Sequence, residues 1–189
     1  MTETHSSLIR LLHNRWAIPT LAAFERLAGA AKLVTIQHAI SGNRDSLRRT
    51  FLTLGEQGFV ERYPGYGHPL RPEYCLTKRG ERIASICQML VDLSSKYGVL
   101  DIAYKKWTLP TLLSLSESGG RFNEVRRQLT NITPRALGKA LQDLSAHGLV
   151  ERILVDGNPP RTEYRLTGNG ESLAKAVKLL NERLTFELD

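Results

Sequence analysis

The stretch from Arg121 to Leu166 reads RFNEVRRQLTNITPRALGKALQDLSAHGLVERILVDGNPPRTEYRL. It predicts a short helix, a tight turn, a second helix, and two extended runs joined by a polar tip that contains proline. This order is typical of a helix-turn-helix followed by a β-hairpin wing. The rest of the chain repeats or flanks the stretch, so the predicted fold class is α+β and mainly helical.

The second helix of the stretch is predicted to begin at Thr133. Threonine is a good N-cap, and Pro134 suits the first helical position, where no amide donor is needed. His147-Gly148 supplies the stop signal. Spacings of three and four separate an apolar face from a polar, basic one. The inward face holds Leu137, Ala140, Leu141 and Leu144, and the outward face holds Arg135, Gly138, Lys139 and Gln142.

The helix before it and the wing after it complete the unit. The turn 130–132 changes the chain direction, and Ile132 is expected to fill the gap between the two helices. Residues 149–155 and 163–166 are predicted strands, joined by the turn 156–160. In the first helix Phe122, Val125 and Leu129 are predicted to point inward, and Arg121, Arg126 and Arg127 outward.

The same pattern occurs twice. LIRLLHNRW at 8–16 returns 91 residues later as VLDIAYKKW at 99–107, and each segment is predicted to be a helix that continues into the next one. Further on the offset is 90: GFVER at 58–62 matches GLVER at 148–152. One residue gained or lost between the two regions would explain the change. Two copies with a period near 90 indicate tandem domains rather than a solenoid.

Each copy ends in an amphipathic helix, residues 80–97 and 170–184. Their apolar stripes suit helix-to-helix association. Only Gly98 separates the first of these helices from the second copy, so we expect domains at 1–97 and 98–189 in a restricted orientation. The residues Trp16, Pro19, Trp107 and Pro110 are expected to be structural, in the core.

Composition limits the function. The net charge of +7 is shared unequally, with 13 basic and 8 acidic residues before Gly98 and 13 and 11 from there on. This favours an anionic partner only because basic residues lie on the second helix and the wing. Cys75 and Cys87 lack metal-ligand spacing, and the five histidines form no catalytic motif. No enzyme, metal, cofactor, signal peptide or membrane span is predicted, and a cytoplasmic location is expected.

The second copy resembles the HxlR-type winged helix-turn-helix transcriptional regulators of bacteria and archaea over about residues 99–184. The resemblance rests on KWTL at 106–109, RFNEV at 121–125, ITPRAL at 132–137, the GLVER strand, and PPRTEY at 159–164 followed by Leu166-Thr167 and Gly170. The first copy resembles the family more weakly, over about residues 8–97. The matching parts are the segment around Trp16, the strand Gly58–Arg62 and the segment Glu73–Gly80.

The resemblance implies a DNA-binding function. Family members are usually single-domain homodimers that bind palindromic operators and pair through their terminal helices. Two fused copies would therefore form a pseudo-dimer in one chain, a monomer with internal pseudo-two-fold symmetry whose partner is double-stranded DNA. The second helix of each helix-turn-helix is the reader helix, which would enter the DNA groove. The two reader helices would lie about one DNA turn, roughly 34 Å, apart. Some redox-sensing members carry a cysteine before the first helix, where this chain has Ser6 and Ser7.

The first copy departs from the pattern at the start of its second helix. Gly42-Asn43-Arg44-Asp45 replaces Ile-Thr-Pro-Arg, with Asn43 as the expected N-cap. An acid and a leucine occupy the places of Arg135 and Gln142. We therefore expect base reading mainly from the second copy. This second helix of the first copy should bury Leu47, Phe51 and Leu54 and expose Asp45, Arg48, Arg49 and Leu52.

The hypothesis for DNA assigns a role to each outward residue. Arg135 suits a guanine edge, Gln142 suits adenine, Lys139 suits guanine or phosphate, and Gly138 allows close backbone approach. Asp45 could accept only from a base amino group, and Leu52 could contact a thymine methyl or a protein. In the alternative interpretation this face is merely solvated and Gly138 costs about 1 kcal/mol relative to alanine.

The wings are placed to contact phosphate or the minor groove, which positions a protein without specifying sequence. The wing candidates are His68, Arg71, Asn158 and Arg161. Arg71 and Arg161 could equally pair with Glu73 and Glu163. A second function class also stays open: an adaptor or antirepressor that uses Leu52 and the first wing to bind a protein. A small-molecule effector between the copies is a third, although no sequence feature marks a pocket.

Overall fold

The structure is a computed structural model that describes residues 6–63, 72–129, 131–157 and 160–186. Packing divides the chain into two compact units. Residues 11–91 form the first unit, and the described residues 6–10 and 92–186 form the second. The division therefore falls within the long helix that ends the first copy.

Helices and one small sheet make up the first half of the chain. Strands β1, β3 and β2 lie in that order and are all antiparallel. The elements are α1 (Ser6–Leu11), α2 (Ala17–Arg26), β1 (Ala30–Lys32), α3 (Leu33–Ile40), α4 (Arg44–Glu56), β2 (Val60–Tyr63), β3 (Glu73–Leu76) and α5 (Lys78–Lys96).

The second half repeats this order with a two-stranded hairpin. An isolated bridge between Arg121 and Glu163 stands where the first half has β1. The elements are α6 (Leu100–Ala103), α7 (Thr108–Glu117), α8 (Phe122–Gln128), α9 (Pro134–Ala146), β4 (Val150–Val155), β5 (Arg161–Leu166) and α10 (Gly168–Thr185). The prediction of two winged helix-turn-helix domains in an α+β, mainly helical chain is confirmed.

The helices predicted over 8–16 and 99–107 are shorter than expected. α1 ends at Leu11, and α2 begins only at Ala17. The cause in the first copy is Asn14, whose side chain accepts a hydrogen bond from the Trp16 amide at 3.1 Å and competes with the helical pattern. In the second copy α6 ends at Ala103, and a turn separates it from α7.

The two tryptophans lie in these turns and are less buried than the prolines that follow them. Trp16 and Trp107 are half-buried. The guanidinium of Arg15 lies 5.5 Å from the Trp16 ring centroid, and the Lys106 ammonium lies 4.9 Å from the Trp107 ring. The aromatic faces thus contact neighbouring cations rather than only apolar side chains. Pro19 and Pro110, in the first turns of α2 and α7, are buried as predicted.

Two length differences, rather than one, separate the copies. α2 and α7 have equivalent bounds at an offset of 91, and α4 and α9 at an offset of 90. Between them, Lys32 pairs with Glu73 and Arg121 pairs with Glu163, which gives an offset of 89. The first copy therefore has two more residues before β1 and one fewer between the two helices of its helix-turn-helix.

The shorter turn has a visible consequence for packing. Ser41 and Asn131 supply the left-handed residue of each turn, at φ of 51° and 65°. Ile132 then fills the second turn and is buried, as expected. In the first copy Gly42 stands near that place, and a Cβ there would lie 2.8 Å from the Leu47 side chain. The first turn consequently has no room for an equivalent plug.

Buried apolar residues of α4 and α9 join the core of each unit. Leu47, Phe51 and Leu54 are buried in the first unit as predicted, and Phe51 packs between Phe24 and Tyr74 at centroid distances of 5.8 and 4.3 Å. In the second unit the predicted inward residues of α9 are all buried. α10 packs along α7, so its apolar stripe helps to close the core of its own unit.

A backbone contact fixes each terminal helix to the start of the hairpin. The amide of Thr167 donates to the Leu149 carbonyl at 3.0 Å, and Gly170 follows so closely that a Cβ would lie 2.0 Å from the same oxygen. Gly80 repeats this approach in the first copy, with a Cβ 2.1 Å from the Phe59 carbonyl oxygen. Only glycine fits at these two positions without backbone movement.

The substitution Gly170→Ala is expected to destabilise the second unit by about 1–3 kcal/mol, because the added methyl overlaps backbone rather than a flexible side chain. Urea unfolding followed by circular dichroism would measure the loss. Gly168→Ala is the matched control in the same helical turn, since a Cβ at position 168 meets nothing within 4 Å. Equal stability of the two variants would contradict this account of the contact.

Candidate nucleic-acid interface

Helix α9 presents the predicted outward residues on one face. The Thr133 side chain accepts a hydrogen bond from the Ala136 amide at 3.2 Å, and Pro134 takes the first helical position. Because this cap sets where the helix begins, it also sets which residues point away from the core. Thr133, Pro134, Arg135, Lys139 and Gln142 are exposed, and Gly138 is half-exposed on the same side.

Gly138 leaves the backbone of α9 accessible. A Cβ built at this position would meet no atom within 4 Å, so packing inside the protein does not require a glycine here. The residue nevertheless lies in the middle of a helix, where glycine is less favourable than alanine by about 1 kcal/mol. Neither packing nor helix propensity accounts for the residue, whereas close approach of a ligand to the helix would.

Asp143 holds two lysines at the side of α9. Its Oδ1 lies 2.9 Å from the Lys139 ammonium, and its Oδ2 lies 3.0 Å from the Lys105 ammonium. The Asp143 side chain is 13% exposed, whereas the two lysines are 65% and 49% exposed. Lys139, predicted as a base or phosphate contact, is thus engaged by a carboxylate in the protein without DNA.

The environment of Asp143 lowers the pKa of its carboxyl group below the usual value. The hydrogen bond from Lys139 is the largest cause, and the hydrogen bond and charge of Lys105 act in the same direction. Burial opposes them, because it disfavours the charged form. The two ammonium groups outweigh burial, so the carboxylate is the stable form at neutral pH.

The first copy presents a different outward face on α4. Asn43 is the N-cap as predicted, and its side chain accepts from the amides of Asp45 at 3.0 Å and Ser46 at 3.3 Å. Within the described part of the chain, neither Arg48 nor Arg49 has an ion-pair partner. The exposed residues of this face are Asn43, Arg44, Asp45, Arg48, Arg49 and Leu52.

Leu52 interrupts that polar face. It is 62% exposed, in the position that Gln142 takes in the second copy. Val34, on α3 of the same helix-turn-helix, is 55% exposed. Large apolar side chains with this exposure on a reader helix are compatible with contacts to a thymine methyl or to a protein surface.

In the second wing, Arg161 makes the ion pair with Glu163 that the sequence offered as one of its two roles, and contact with DNA stays a prediction. Arg161 lies 3.3 Å from Glu163, whose side chain is 13% exposed. Arg121 and Arg165 lie 3.8 and 3.7 Å from the same carboxylate. One acid in the middle of β5 thus lies near three arginines, which leaves a net positive charge on this side of the hairpin. His68, Arg71 and Asn158, the other wing candidates, lie outside the described residues.

Three polar residues of this interface, Asp143, Glu163 and Lys105, were not among the candidates predicted from the sequence. The pairing of Lys139 with Asp143 had a signal, since opposite charges four apart on a helix are neighbours. The role of Glu163 was named only as one alternative for Arg161. Lys105 had no sequence signal, because its approach to Asp143 depends on the packing of the turn between α6 and α7 against α9.

Two units that each combine a helix-turn-helix with a β-hairpin define a tandem winged helix-turn-helix protein. The family model described as HxlR-like helix-turn-helix matches residues 11–101 and again residues 102–186. The chain therefore belongs to the HxlR-like helix-turn-helix family, as the sequence motifs predicted.

Curated relatives carry matching names. The chain is 31% identical over 90 residues to the uncharacterized HTH-type transcriptional regulator YvaP of Bacillus subtilis, covering 48% of this chain and 83% of YvaP. It is 30% identical over 114 residues to YtfH of Escherichia coli, described in the same words, covering 59% of this chain and 82% of YtfH. A relative from Methanothermobacter thermautotrophicus is 36% identical over 77 residues, which span 41% of this chain and 59% of that protein.

Neither a metal-binding cluster nor a membrane-spanning helix is found among the described residues. No group of three or more histidine, cysteine, aspartate or glutamate side chains there is arranged to hold a metal ion. Among the described helices, none combines the length and the apolar character that crossing a bilayer requires.

The ion pairs of Asp143 make a testable contribution to stability. Since its pKa is lowered on folding, the stabilisation is fully present above the unfolded value of 3.8 and is lost as the pH falls through the folded pKa. Asp143→Asn should therefore cost up to about 1 kcal/mol at pH 7 and less at pH 2. Urea unfolding at both pH values measures this, with Asp156→Asn, an exposed acid of the same unit, as control. A cost equally large at the two pH values would contradict the assignment.

Proposed function

We propose that this protein is a sequence-specific regulator of transcription that binds double-stranded DNA without enzymatic activity. The observation that carries the proposal is the outward face of α9, where Arg135, Gly138 and Gln142 are accessible on a capped reader helix beside a basic wing. Family membership and the relatives named as transcriptional regulators support it.

The chemistry of this face suits the DNA major groove. Arg135 can donate two hydrogen bonds to a guanine edge, and Gln142 can pair with adenine. Each well-formed bidentate contact discriminates against a wrong base by roughly 1–3 kcal/mol. Within the described residues Arg135 has no ion-pair partner, so its guanidinium does not have to leave a carboxylate before it binds.

The two copies would read different half-sites. Asp45 takes the place of Arg135 in the first copy and repels phosphate, although Arg48 and Arg49 beside it are exposed. We therefore propose a near-palindromic operator, with two reader helices and two wings of one chain arranged as a pseudo-dimer over domains 1–97 and 98–189. The exposed face of α9 would supply most of the sequence discrimination.

A second candidate is a protein-interaction module, either an adaptor or an antirepressor. The exposed Leu52 on α4 and Val34 on α3 favour it, because they give the first helix-turn-helix an apolar contact surface. Salt dependence separates the two functions. Phosphate contacts lower the logarithm of DNA affinity by about 0.9 per contact per decade of salt, whereas an apolar protein contact has no such dependence.

The first test selects binding sites from random duplex DNA on the purified chain. Arg135→Ala should relax one base position of the selected motif and lower affinity for it by roughly 1–3 kcal/mol. Arg49→Ala tests the first copy, where Asp45 stands in the place of Arg135 and Arg49 is an exposed arginine on the same helix. Loss of affinity with a shallower salt slope and an unchanged motif would assign Arg49 to phosphate. Equal footprint protection of two identical half-sites would contradict the unequal readers, and failure to select any motif would overturn the proposed function.

A second test uses Gly138. Gly138→Ala should raise the free energy of unfolding by up to about 1 kcal/mol, because alanine is the better helix former and its methyl has room. If DNA approaches the backbone here, the same variant should lose operator affinity, so stability and binding move in opposite directions. Urea unfolding and fluorescence-anisotropy titration measure the two effects. Unchanged binding by the stabilised variant would support the interpretation of a merely solvated face.

A further inference from the structure

We propose that Asp143 is a specificity-determining positioning residue, which holds the Lys139 ammonium at the side of the reader helix and so leaves base reading by α9 to Arg135 and Gln142. This inference rests on the proposed function. It makes Lys139 an ion-pair partner of Asp143 rather than the direct DNA contact that the sequence suggested.

The geometry of the carboxylate supports this role. Each Asp143 oxygen faces a different ammonium, Oδ1 that of Lys139 at 2.9 Å and Oδ2 that of Lys105 at 3.0 Å. Both oxygens are thus engaged, and the side chain that carries them is 13% exposed. A mostly buried carboxylate with two charged donors is a more stable anchor than an isolated ion pair on an open surface.

The chemistry of lysine explains why restraint would matter. An ammonium on a flexible stem is a point charge that binds any phosphate, whereas arginine and glutamine make directional pairs with particular bases. A free lysine between Arg135 and Gln142 would add affinity for every DNA sequence. Holding it on Asp143 lowers nonspecific attraction without removing the directional contacts beside it.

Lys105 connects Asp143 with a neighbouring part of the fold. It lies in the turn between α6 and α7, so its ion pair connects that turn with the last turn of α9. His147 makes a parallel connection, since its Nε2 lies 3.5 Å from the Asp101 carboxylate of α6. Asp143 is therefore fixed by a contact from outside its own helix, and its orientation toward Lys139 does not depend on Lys139 alone.

The first copy is a natural control for this arrangement. At the offset of 90, Thr53 replaces Asp143 and Arg49 replaces Lys139. The turn that leads into α2 carries Asn14, whose Oδ1 lies 2.9 Å from the Thr50 hydroxyl of α4. A neutral contact thus connects this turn with α4, and no described acid forms an ion pair with Arg49.

The test compares wild type, Asp143→Asn, Lys139→Gln and the double variant on the selected operator and on an unrelated duplex. Asp143→Asn should bind the unrelated duplex more tightly, with a salt slope steeper by about 0.9 for one added phosphate contact, and should lose discrimination between the two duplexes. In the double variant, Lys139→Gln should abolish the steeper salt slope that Asp143→Asn causes. A slope that stays unchanged, or a steepening that survives Lys139→Gln, would overturn the inference while leaving the proposed function intact.

The reciprocal variant and a DNA-free measurement complete the test. Thr53→Asp places a carboxylate four residues from Arg49 and should make the slope shallower by about 0.9, whereas Thr53→Asn should not. In NMR spectra without DNA, the Lys139 ammonium signal should be sharp and protected from exchange in wild type and broadened in Asp143→Asn. A signal equally broad in both would overturn the inference. A wild-type chain that selects no operator would instead overturn the proposed function itself.

Discussion

The contact between each terminal helix and the end of each reader helix is the constraint on which both domains depend. In the second unit the Thr167 hydroxyl donates to the Gly148 carbonyl at 2.7 Å and accepts from the Gly170 amide at 3.2 Å. Thr77 makes the same pair of bonds with Gly58 and Gly80 at 2.6 and 3.1 Å.

One threonine in each copy thus connects three elements. It caps the terminal helix, directly follows the second strand of the wing, and hydrogen-bonds the glycine that ends the reader helix. Because Gly148 has a φ of 67°, the chain can pass from α9 to β4 with only three residues between them. The connection between the second helix and the wing is therefore held by hydrogen bonds between a threonine hydroxyl and the backbone, and side chains on the outward faces can vary without breaking it.

This explains how much of the structure could be predicted from sequence. The N-caps Asn43 and Thr133, the buried faces of α4 and α9 and the hairpin strands follow from local rules of capping and periodicity. The broken helix before Trp16 depends on a side-chain-to-backbone bond of Asn14, which periodicity does not show. The offset of 89 before the helix-turn-helix depends on strand pairing, because it follows from the positions of Lys32 and Arg121 opposite equivalent glutamates.

The candidate site could be predicted less completely, for a physical reason. Outward residues of a helix follow from its period, so the faces of Arg135 and Leu52 were predictable. Which charges pair with one another depends on elements that come together only in the folded chain. Lys105 reaches Asp143 from 38 residues away, and Arg121 reaches Glu163 from 42. These contacts change how a basic residue behaves without changing where it lies.

Covalent linkage of two unequal readers changes what each must contribute under the proposed function. Once one linked module is bound, the second binds at an effective concentration in the millimolar range, so it adds to occupancy even when its own affinity is low. A first copy that carries Asp45 and Leu52 then need not bind an operator alone. Its helix is free to combine phosphate contacts from Arg48 and Arg49 with an apolar contact at Leu52, while the second copy supplies sequence discrimination.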